Sequence, residues 1–168
     1  MSSPFELLEI TVAEGVCTIE IHHQHEACVM TDQLSDELRR AVFEYEPKAD
    51  VRVIVFRSSD PDFFIAHRDV TSIIGWAKEG GGERFGAARV EAAERGDADA
   101  LPPSYRELLR KSNKVSIVEM AGRAGGGGNE LAAACDMRFG LIGKTKINQM
   151  EVPLGILPGG NGTVNLRE

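Results

Sequence analysis

Four consecutive glycines at positions 125–128, followed by Asn129 and Glu130, constrain this chain more than any other stretch. Glycine has no Cβ, so a ligand can approach such a backbone closely and several N–H groups can point at one atom. The small-residue helix pattern that follows adds a partial positive charge at its first turn. Glu130 is placed to act on whatever the backbone holds. The stretch therefore predicts an anion-binding turn with an acid–base group beside it.

The composition limits the class of protein. The 168 residues are 42% hydrophobic and 27% charged, which is typical of one globular domain. The net charge of −7 argues against nucleic acid as a main partner, because phosphate binding needs a basic face. A few local arginines or lysines are still enough to hold a small anionic ligand.

The three cysteines have an odd count and no framework spacing, so Cys17, Cys28 and Cys135 predict reduced thiols in a cytoplasmic protein. Cys17 and Cys135 fall in apolar patterns and are expected in the core. No stretch approaches the length of a membrane span, and the first residues lack the basic and apolar regions of a signal peptide. We therefore expect no membrane partner.

Hydrophobic periodicity predicts the secondary structure. Alternating side chains indicate a β-hairpin over residues 7–21, broken at Glu14 and Gly15. Thr31 and Asp32 can cap a helix that Pro47 ends. The other expected elements are strands at 51–56, 115–120 and 136–139, helices at 70–77, 104–111 and 131–134, and a loop at 57–69. Strand, turn, helix and strand in this order predicts a layered α/β architecture.

Two segments have more than one interpretation. Residues 78–100 are rich in Gly, Ala, Glu and Arg, typical of a variable, mobile surface loop with a helix at 84–94; a functional lid is the alternative. His22, His23 and His25 suggest a metal cluster, but neighbours on a strand face opposite sides and no partner has zinc-ligand spacing. Surface histidines are the expected outcome, with no metal site.

Three blocks occur in order along the chain. The first is residues 63–70, Phe-Phe-Ile-Ala-His-Arg-Asp-Val. The second begins at Gly122, runs through the glycines and Glu130-Leu131, and reaches Cys135-Asp136. The third is residues 151–163, from Glu151-Val-Pro-Leu-Gly to Gly162-Thr163. Together they resemble the crotonase (enoyl-CoA hydratase/isomerase) superfamily over nearly the whole chain.

This resemblance implies a crotonase-like ββα spiral fold over residues 1–168 that binds acyl-CoA thioesters. Backbone N–H groups of Arg68 and Gly127 would hold the thioester oxygen, and Glu130 and Glu151 would flank a water. Ala66, His67, Asp69, Val70 and Gly126 would bind CoA or substrate. No metal or redox cofactor is implied, and family members are homo-oligomers, trimers or hexamers.

Two departures from the family pattern stand out. His67 occupies a position where the family most often has glycine, so a positive φ there would cost energy and displace the Arg68 N–H. Alternatively, His67 and Arg68 contact ligand phosphates. The sequence also ends at Glu168, directly after the third block, where family members continue into C-terminal helices that close the pocket and build the trimer. We expect a shortened chain or a surface covered by another subunit.

The sequence thus predicts an enoyl-CoA hydratase that converts a 2-enoyl-CoA into a 3-hydroxyacyl-CoA. Two alternatives stay open. One is another reaction on the same scaffold, such as that of an isomerase, hydrolase or lyase, because fold does not fix chemistry. The other is a non-catalytic acyl-CoA-binding or assembly protein.

Overall fold

The chain opens with an antiparallel hairpin in the computed structural model, which describes residues 4–22, 27–80, 94–95, 104–151, 153, 155 and 157–165. Strand β1 (Leu8–Ala13) pairs with β2 (Val16–Ile21). Glu14 and Gly15 connect them with φ of 53° and 86°, the left-handed pair that a two-residue hairpin turn favours. The predicted hairpin is confirmed.

The hairpin forms one edge of a sheet with the order β1-β2-β3-β5-β7. The three further strands are β3 (Val53–Ser58), β5 (Val115–Met120) and β7 (Met137–Gly140). The β2–β3, β3–β5 and β5–β7 pairs are all parallel. The strands predicted from β-branched runs are therefore confirmed, with small shifts at their ends.

A smaller parallel sheet has the order β4-β6-β8. Its strands are β4 (Phe63–Ile65), β6 (Arg123–Gly125) and β8 (Lys146–Asn148). The expectation of a continuous loop at 57–69 is wrong, since β3 runs to Ser58 and β4 lies inside that segment. A three-residue strand is too short to display a two-residue period, so pairing with distant strands, rather than local pattern, defines it.

Five helices complete the described part of the chain: α1 (Asp32–Tyr45), α2 (Val70–Lys78), α3 (Tyr105–Lys111), α4 (Gly127–Ala134) and α5 (Gly162–Asn165). The Thr31 side chain caps α1 by accepting from the Leu34 N–H at 3.1 Å. Ser104 and Glu107 form a reciprocal capping box at the start of α3. Helix α4 was predicted to start at residue 131 but starts at Gly127, inside the glycine run.

The elements repeat a ββα pattern. In each of β3-β4-α2, β5-β6-α4 and β7-β8-α5, the first strand joins the larger sheet, the second joins the smaller sheet and a helix follows. The expected α/β class and ββα arrangement are confirmed. Because β4 and β6 are adjacent and parallel, the end of β4 lies beside the start of α4, and this neighbourhood positions the candidate site.

The core contains buried side chains of both sheets and of α1, α3 and α4. The apolar face of α1 buries Leu34, Leu38, Ala41 and Val42 completely. The predicted burial of Cys17 and Cys135 is confirmed, and Cys28 is also buried; all three are free thiols. Burial raises the pKa of Cys135 to about 12. None of the helices in the described part is long and apolar enough to cross a membrane.

Some predictions fall outside the described residues. The variable loop expected at 78–100 lies mostly within positions 81–93 and 96–103, which are not described. His23 and His25 are also outside, whereas the His22 side chain, directly after β2, is 42% exposed, as a surface histidine should be.

Replacing Gly128 by alanine should destabilise the fold. A Cβ at Gly128 would lie 2.4 Å from the Ile65 carbonyl oxygen and 2.7 Å from the Ile65 Cβ. We expect a loss of about 1–3 kcal/mol in the free energy of unfolding, the usual cost of overpacking. Chemical denaturation measures it.

The matched control is Gly75→Ala, in the middle of α2, where no described atom lies within 4 Å of the new Cβ. Alanine is the better helix former, so this variant should be unchanged or up to ~1 kcal/mol more stable. Equal effects of the two substitutions would show that the contact with Ile65 is not close.

Candidate active site

The glycine run is shaped by its contacts with β4. A Cβ at Gly125 would lie 2.2 Å from the Ala66 carbonyl oxygen, so only glycine permits this approach. Gly126 follows with a φ of 47° and donates its N–H to the Asn148 carbonyl at 3.0 Å. Gly127 then opens α4, so its N–H is among the first four that a helix cannot pair internally. The turn therefore leaves the Gly127 N–H without a partner inside the helix, and its role as a donor to a ligand stays a prediction.

A cavity of about 500 Å³ opens in front of this donor. Its polar lining side chains are Asp32, Arg68, Ser72, Arg106, Glu130 and Glu151, and the glycines Gly127 and Gly160 also line it. The structure thus brings the two predicted acids, Glu130 and Glu151, and the two residues predicted to supply backbone donors, Arg68 and Gly127, to one cavity. The catalytic roles of these four residues are predictions.

Glu130 is buried, with 4% of its surface exposed, and projects from the first turn of α4. The Gly160 N–H donates to its Oε1 at 2.7 Å. Burial raises the pKa of Glu130; the Arg106 charge and the Gly160 N–H oppose the rise, and the charge of Glu151 adds to it. Because a higher pKa eases proton uptake and release near neutral pH, Glu130 is suited to acid–base chemistry.

Glu151, three residues after the end of β8, lies against the glycine turn. Its Oε1 would be 3.4 Å from a Cβ placed on Gly126, so the carboxylate contacts the residue before the Gly127 donor. The Gln149 side-chain amide donates to Glu151 Oε2 at 2.6 Å, and Asn129 donates to Gln149 Oε1 at 2.9 Å. This chain of hydrogen bonds fixes the orientation of Glu151 relative to α4.

Arg68 lies in an isolated parallel bridge with Met30. The Met30 N–H donates to the His67 carbonyl at 2.8 Å, and the Asp69 N–H donates to the Met30 carbonyl at 3.0 Å. In this pairing the N–H of Arg68 points away from Met30 and is not consumed by it. The φ of His67 is not positive, so histidine causes no left-handed strain where the family most often has glycine.

Five other residues were predicted to bind the ligand, and none of them lines the cavity, although each is within two positions of Arg68 or Gly127 in the sequence. They are Ala66, His67, Asp69, Val70 and Gly126. Asp69 has a structural task, since its carboxylate accepts from the Thr71 N–H at 2.9 Å and the Thr71 hydroxyl at 2.7 Å at the start of α2. These bonds lower the pKa of Asp69. Contact of these five residues with a ligand stays a prediction.

Sequence reasoning missed three residues of the site. Gly160 belongs to the third block, and a Cβ there would lie 2.1 Å from Glu130 Oε2, which explains the glycine. Gln149 precedes that block by two positions and carried no signal of its own. Arg106 belongs to a short amphipathic helix, where an arginine ordinarily indicates a solvated face.

The model of the enoyl-CoA hydratase/isomerase family matches residues 11–168. Among curated proteins, the fatty acid oxidation complex subunit alpha of Aliivibrio fischeri is 32% identical over 125 residues, covering 72% of this chain and 16% of that protein. The mitochondrial methylglutaconyl-CoA hydratase of Mus musculus is 29% identical over 152 residues, covering 90% of this chain and 44% of that protein. The chain therefore spans less than half the length of either relative.

Solved structures give the same fold. A provisionally named enoyl-CoA hydratase of Streptomyces avermitilis is 33% identical, with a TM-score of 0.73 over 97% of this chain and 56% of that chain. Pseudomonas aeruginosa DspI is 26% identical, with a TM-score of 0.71 over 99% of this chain and 62% of that chain.

The burial of Glu130 should be measurable as a pH-dependent cost to stability. Because its pKa is raised in the folded state, the protonated acid favours folding, and this stabilisation is lost as pH rises from about 4.5 through the folded pKa. Glu130→Gln cannot ionise, so its free energy of unfolding should exceed that of the unsubstituted chain increasingly over this window. Urea denaturation at a series of pH values tests this.

Asp69→Asn is the control, because its effect on the free energy of unfolding should depend on pH in the opposite direction. The lowered pKa of Asp69 means that its carboxylate stabilises the fold above its unfolded pKa and loses that effect as pH falls. A Glu130→Gln variant whose stability difference is independent of pH would contradict the burial of an ionisable Glu130.

Proposed function

The chain belongs to the enoyl-CoA hydratase/isomerase family, and from that premise we propose that it adds water reversibly to a 2-enoyl-CoA, giving a 3-hydroxyacyl-CoA. One observation supports this reaction above others on the scaffold: two carboxylates, Glu130 and Glu151, lie on one cavity beside the Gly127 N–H. An isomerisation or hydrolysis does not require two acids around one water.

The two acids can share the proton transfers of hydration. The water oxygen bonds to the β-carbon while one carboxylate takes its proton, and the electron pair of the double bond shifts toward the thioester oxygen. The α-carbon then takes a proton from a protonated carboxyl group. Positioned acid–base groups typically contribute about 10²–10⁴-fold to a rate. The raised pKa of Glu130 favours this exchange.

The developing enolate needs donors that are in place before the reaction. We assign this task to the backbone N–H groups of Gly127 and Arg68. The partial positive charge at the start of α4 adds to the Gly127 donor. One such donor is typically worth about 10²–10³-fold. The arrangement tolerates arginine at position 68 because only its main chain is used.

The ligand is an acyl-CoA thioester in this proposal. Ile73 and Leu157 give the cavity an apolar part suited to an acyl chain. Ala66, His67, Asp69, Val70 and Gly126 would line the approach of CoA, or His67 and Arg68 would contact its phosphates. The reaction uses no metal or redox cofactor, and the three free, buried thiols support a reducing compartment such as the cytoplasm.

We also propose a homo-oligomer, a trimer or hexamer. Edge strands β7 and β8 and the segment between them expose large apolar side chains: Met137, Phe139, Leu141, Ile142 and Ile147. Several exposed large apolar side chains within one short segment are typical of an interface. Sedimentation equilibrium measures the assembly state, and a monomer at all concentrations would contradict the proposal.

Glu130→Gln and Glu151→Gln should each lower kcat for crotonyl-CoA by about 10²–10⁴-fold, because each removes a proton-transfer group. The affinity for butyryl-CoA should change less than about threefold, since glutamine keeps the size and hydrogen bonds of the side chain. Glu119→Gln, on an exposed position of β5, is the control and should be unaffected. Chromatographic identification of the product accompanies the rates.

An unchanged rate in either active-site variant would remove that residue from the mechanism. A product other than 3-hydroxybutyryl-CoA would replace hydration by another reaction. Binding of acyl-CoA with no turnover in the unsubstituted chain would favour a non-catalytic binding protein.

A further inference from the structure

Arg106 brings a guanidinium group to the cavity wall from α3. Its Nη2 would lie 3.8 Å from a Cβ placed on Gly127, and it contacts the Met30 sulfur at the same distance. The guanidinium is therefore beside the backbone donor proposed to hold the thioester oxygen. No step of the hydration mechanism uses it.

Arg106 forms no salt bridge with the described residues: its charge acts on Glu130 without a contact within 4.0 Å, and its guanidinium lies 4.7 Å from the centre of the Tyr105 ring. The other arginine of the cavity, Arg68, is paired with Asp32 at 2.5 Å. No described carboxylate lies within 4.0 Å of Arg106, and its Nε is buried without a hydrogen-bond acceptor. A buried donor left unpaired costs free energy, so a ligand that supplies an acceptor there would be favoured.

We infer that Arg106 recognises a carboxylate on the acyl part of the substrate, so that the substrate class is an enoyl-CoA with a second, terminal carboxyl group. A guanidinium matches a carboxylate with two parallel N–H···O bonds. The inference rests on the proposed function for the orientation of the thioester.

The position of Arg106 in the cavity favours binding of an acyl carboxylate over binding of a CoA phosphate. Arg106 adjoins Gly127, where the thioester carbonyl is proposed to lie, whereas the full pantetheine arm separates the thioester from the nearest CoA phosphate. A phosphate-binding cation would be expected at the mouth of the cavity instead. A carboxylate a few carbons beyond the thioester is the anion that can reach Arg106.

The charges of the cavity increase the expected difference in affinity between an acyl chain with a terminal carboxylate and a neutral one. Glu130 and Glu151 are acidic, so a second carboxylate near them is repelled unless a cation is placed to receive it. Removing Arg106 therefore removes an attraction and exposes a repulsion. A neutral acyl chain of the same length experiences neither effect.

Calorimetric titration with glutaryl-CoA and valeryl-CoA tests the inference. Both are saturated five-carbon thioesters, and only glutaryl-CoA has a terminal carboxylate, so binding is measured without turnover. The unsubstituted chain should prefer glutaryl-CoA by at least about tenfold. Arg106→Met should weaken glutaryl-CoA binding about 10–100-fold, the worth of a charged hydrogen-bonded pair, and change valeryl-CoA binding less than about twofold.

Two further variants complete the design. Arg106→Lys keeps the charge and should retain part of the preference. Lys111→Met removes one positive charge from the exposed end of the same helix and should leave both affinities unchanged. If Arg106→Met does not fold, the preference of the unsubstituted chain and the Arg106→Lys result decide the matter.

Equal affinity of the unsubstituted chain for the two thioesters would overturn the inference, as would an equal loss for both in Arg106→Met. Binding of neither thioester would overturn it together with the acyl-CoA premise. Failure of hydration alone is distinguishable, since a chain that prefers glutaryl-CoA but does not hydrate crotonyl-CoA would contradict only the proposed reaction.

Discussion

The candidate site depends on a contact between two stretches of main chain. Gly125 and Gly128 approach the carbonyl groups of Ala66 and Ile65 so closely that a Cβ on either glycine would overlap an oxygen atom. This approach sets the first turn of α4 beside the segment that contains Arg68. Arg68 and Gly127, which are distant in the sequence, thereby line the same cavity, which no local motif could achieve alone.

The electrostatics of the cavity follow from that placement. The start of α4 gives Gly127 an unpaired N–H and gives Glu130 a buried position one turn into the helix. Burying an acid costs stability unless donors compensate, and here the Gly160 N–H and the Arg106 charge compensate only partly. Acids whose burial destabilises the fold and raises their pKa are common where acid–base chemistry is carried out.

The sequence predicted best where a local pattern carries the structure. The hairpin and α1 each have a clear hydrophobic period, bounded by a turn in the hairpin and by a cap in α1. The glycine run predicts a backbone that other groups approach closely. Strands β4, β6 and β8 were missed because three residues cannot show a period, and their definition comes from pairing across the chain. The role of Glu151 could be suggested only through family resemblance, since an isolated glutamate before Val-Pro resembles any solvated loop residue.

Arg106 and Gln149 show why the remaining site residues could not be predicted from the sequence. Each acts through neighbours that are distant in sequence: Gln149 through Asn129 and Glu151, and Arg106 through Gly127 and Met30. Spacing along the chain holds no trace of such contacts. The resemblance supplied the proposed acids and donors, whereas the fold shows that Gln149 orients Glu151 and that Arg106 places a cation on the cavity wall.

The central claim is that two acids activate one water against a thioester whose oxygen is held by main-chain amides. Incubation of the purified chain with crotonyl-CoA in ¹⁸O-labelled water, followed by mass spectrometry, tests it most directly. The account predicts 3-hydroxybutyryl-CoA with one heavy oxygen on the β-carbon, formed far faster than without protein. Recovery of unlabelled crotonyl-CoA under conditions where the thioester binds would contradict it.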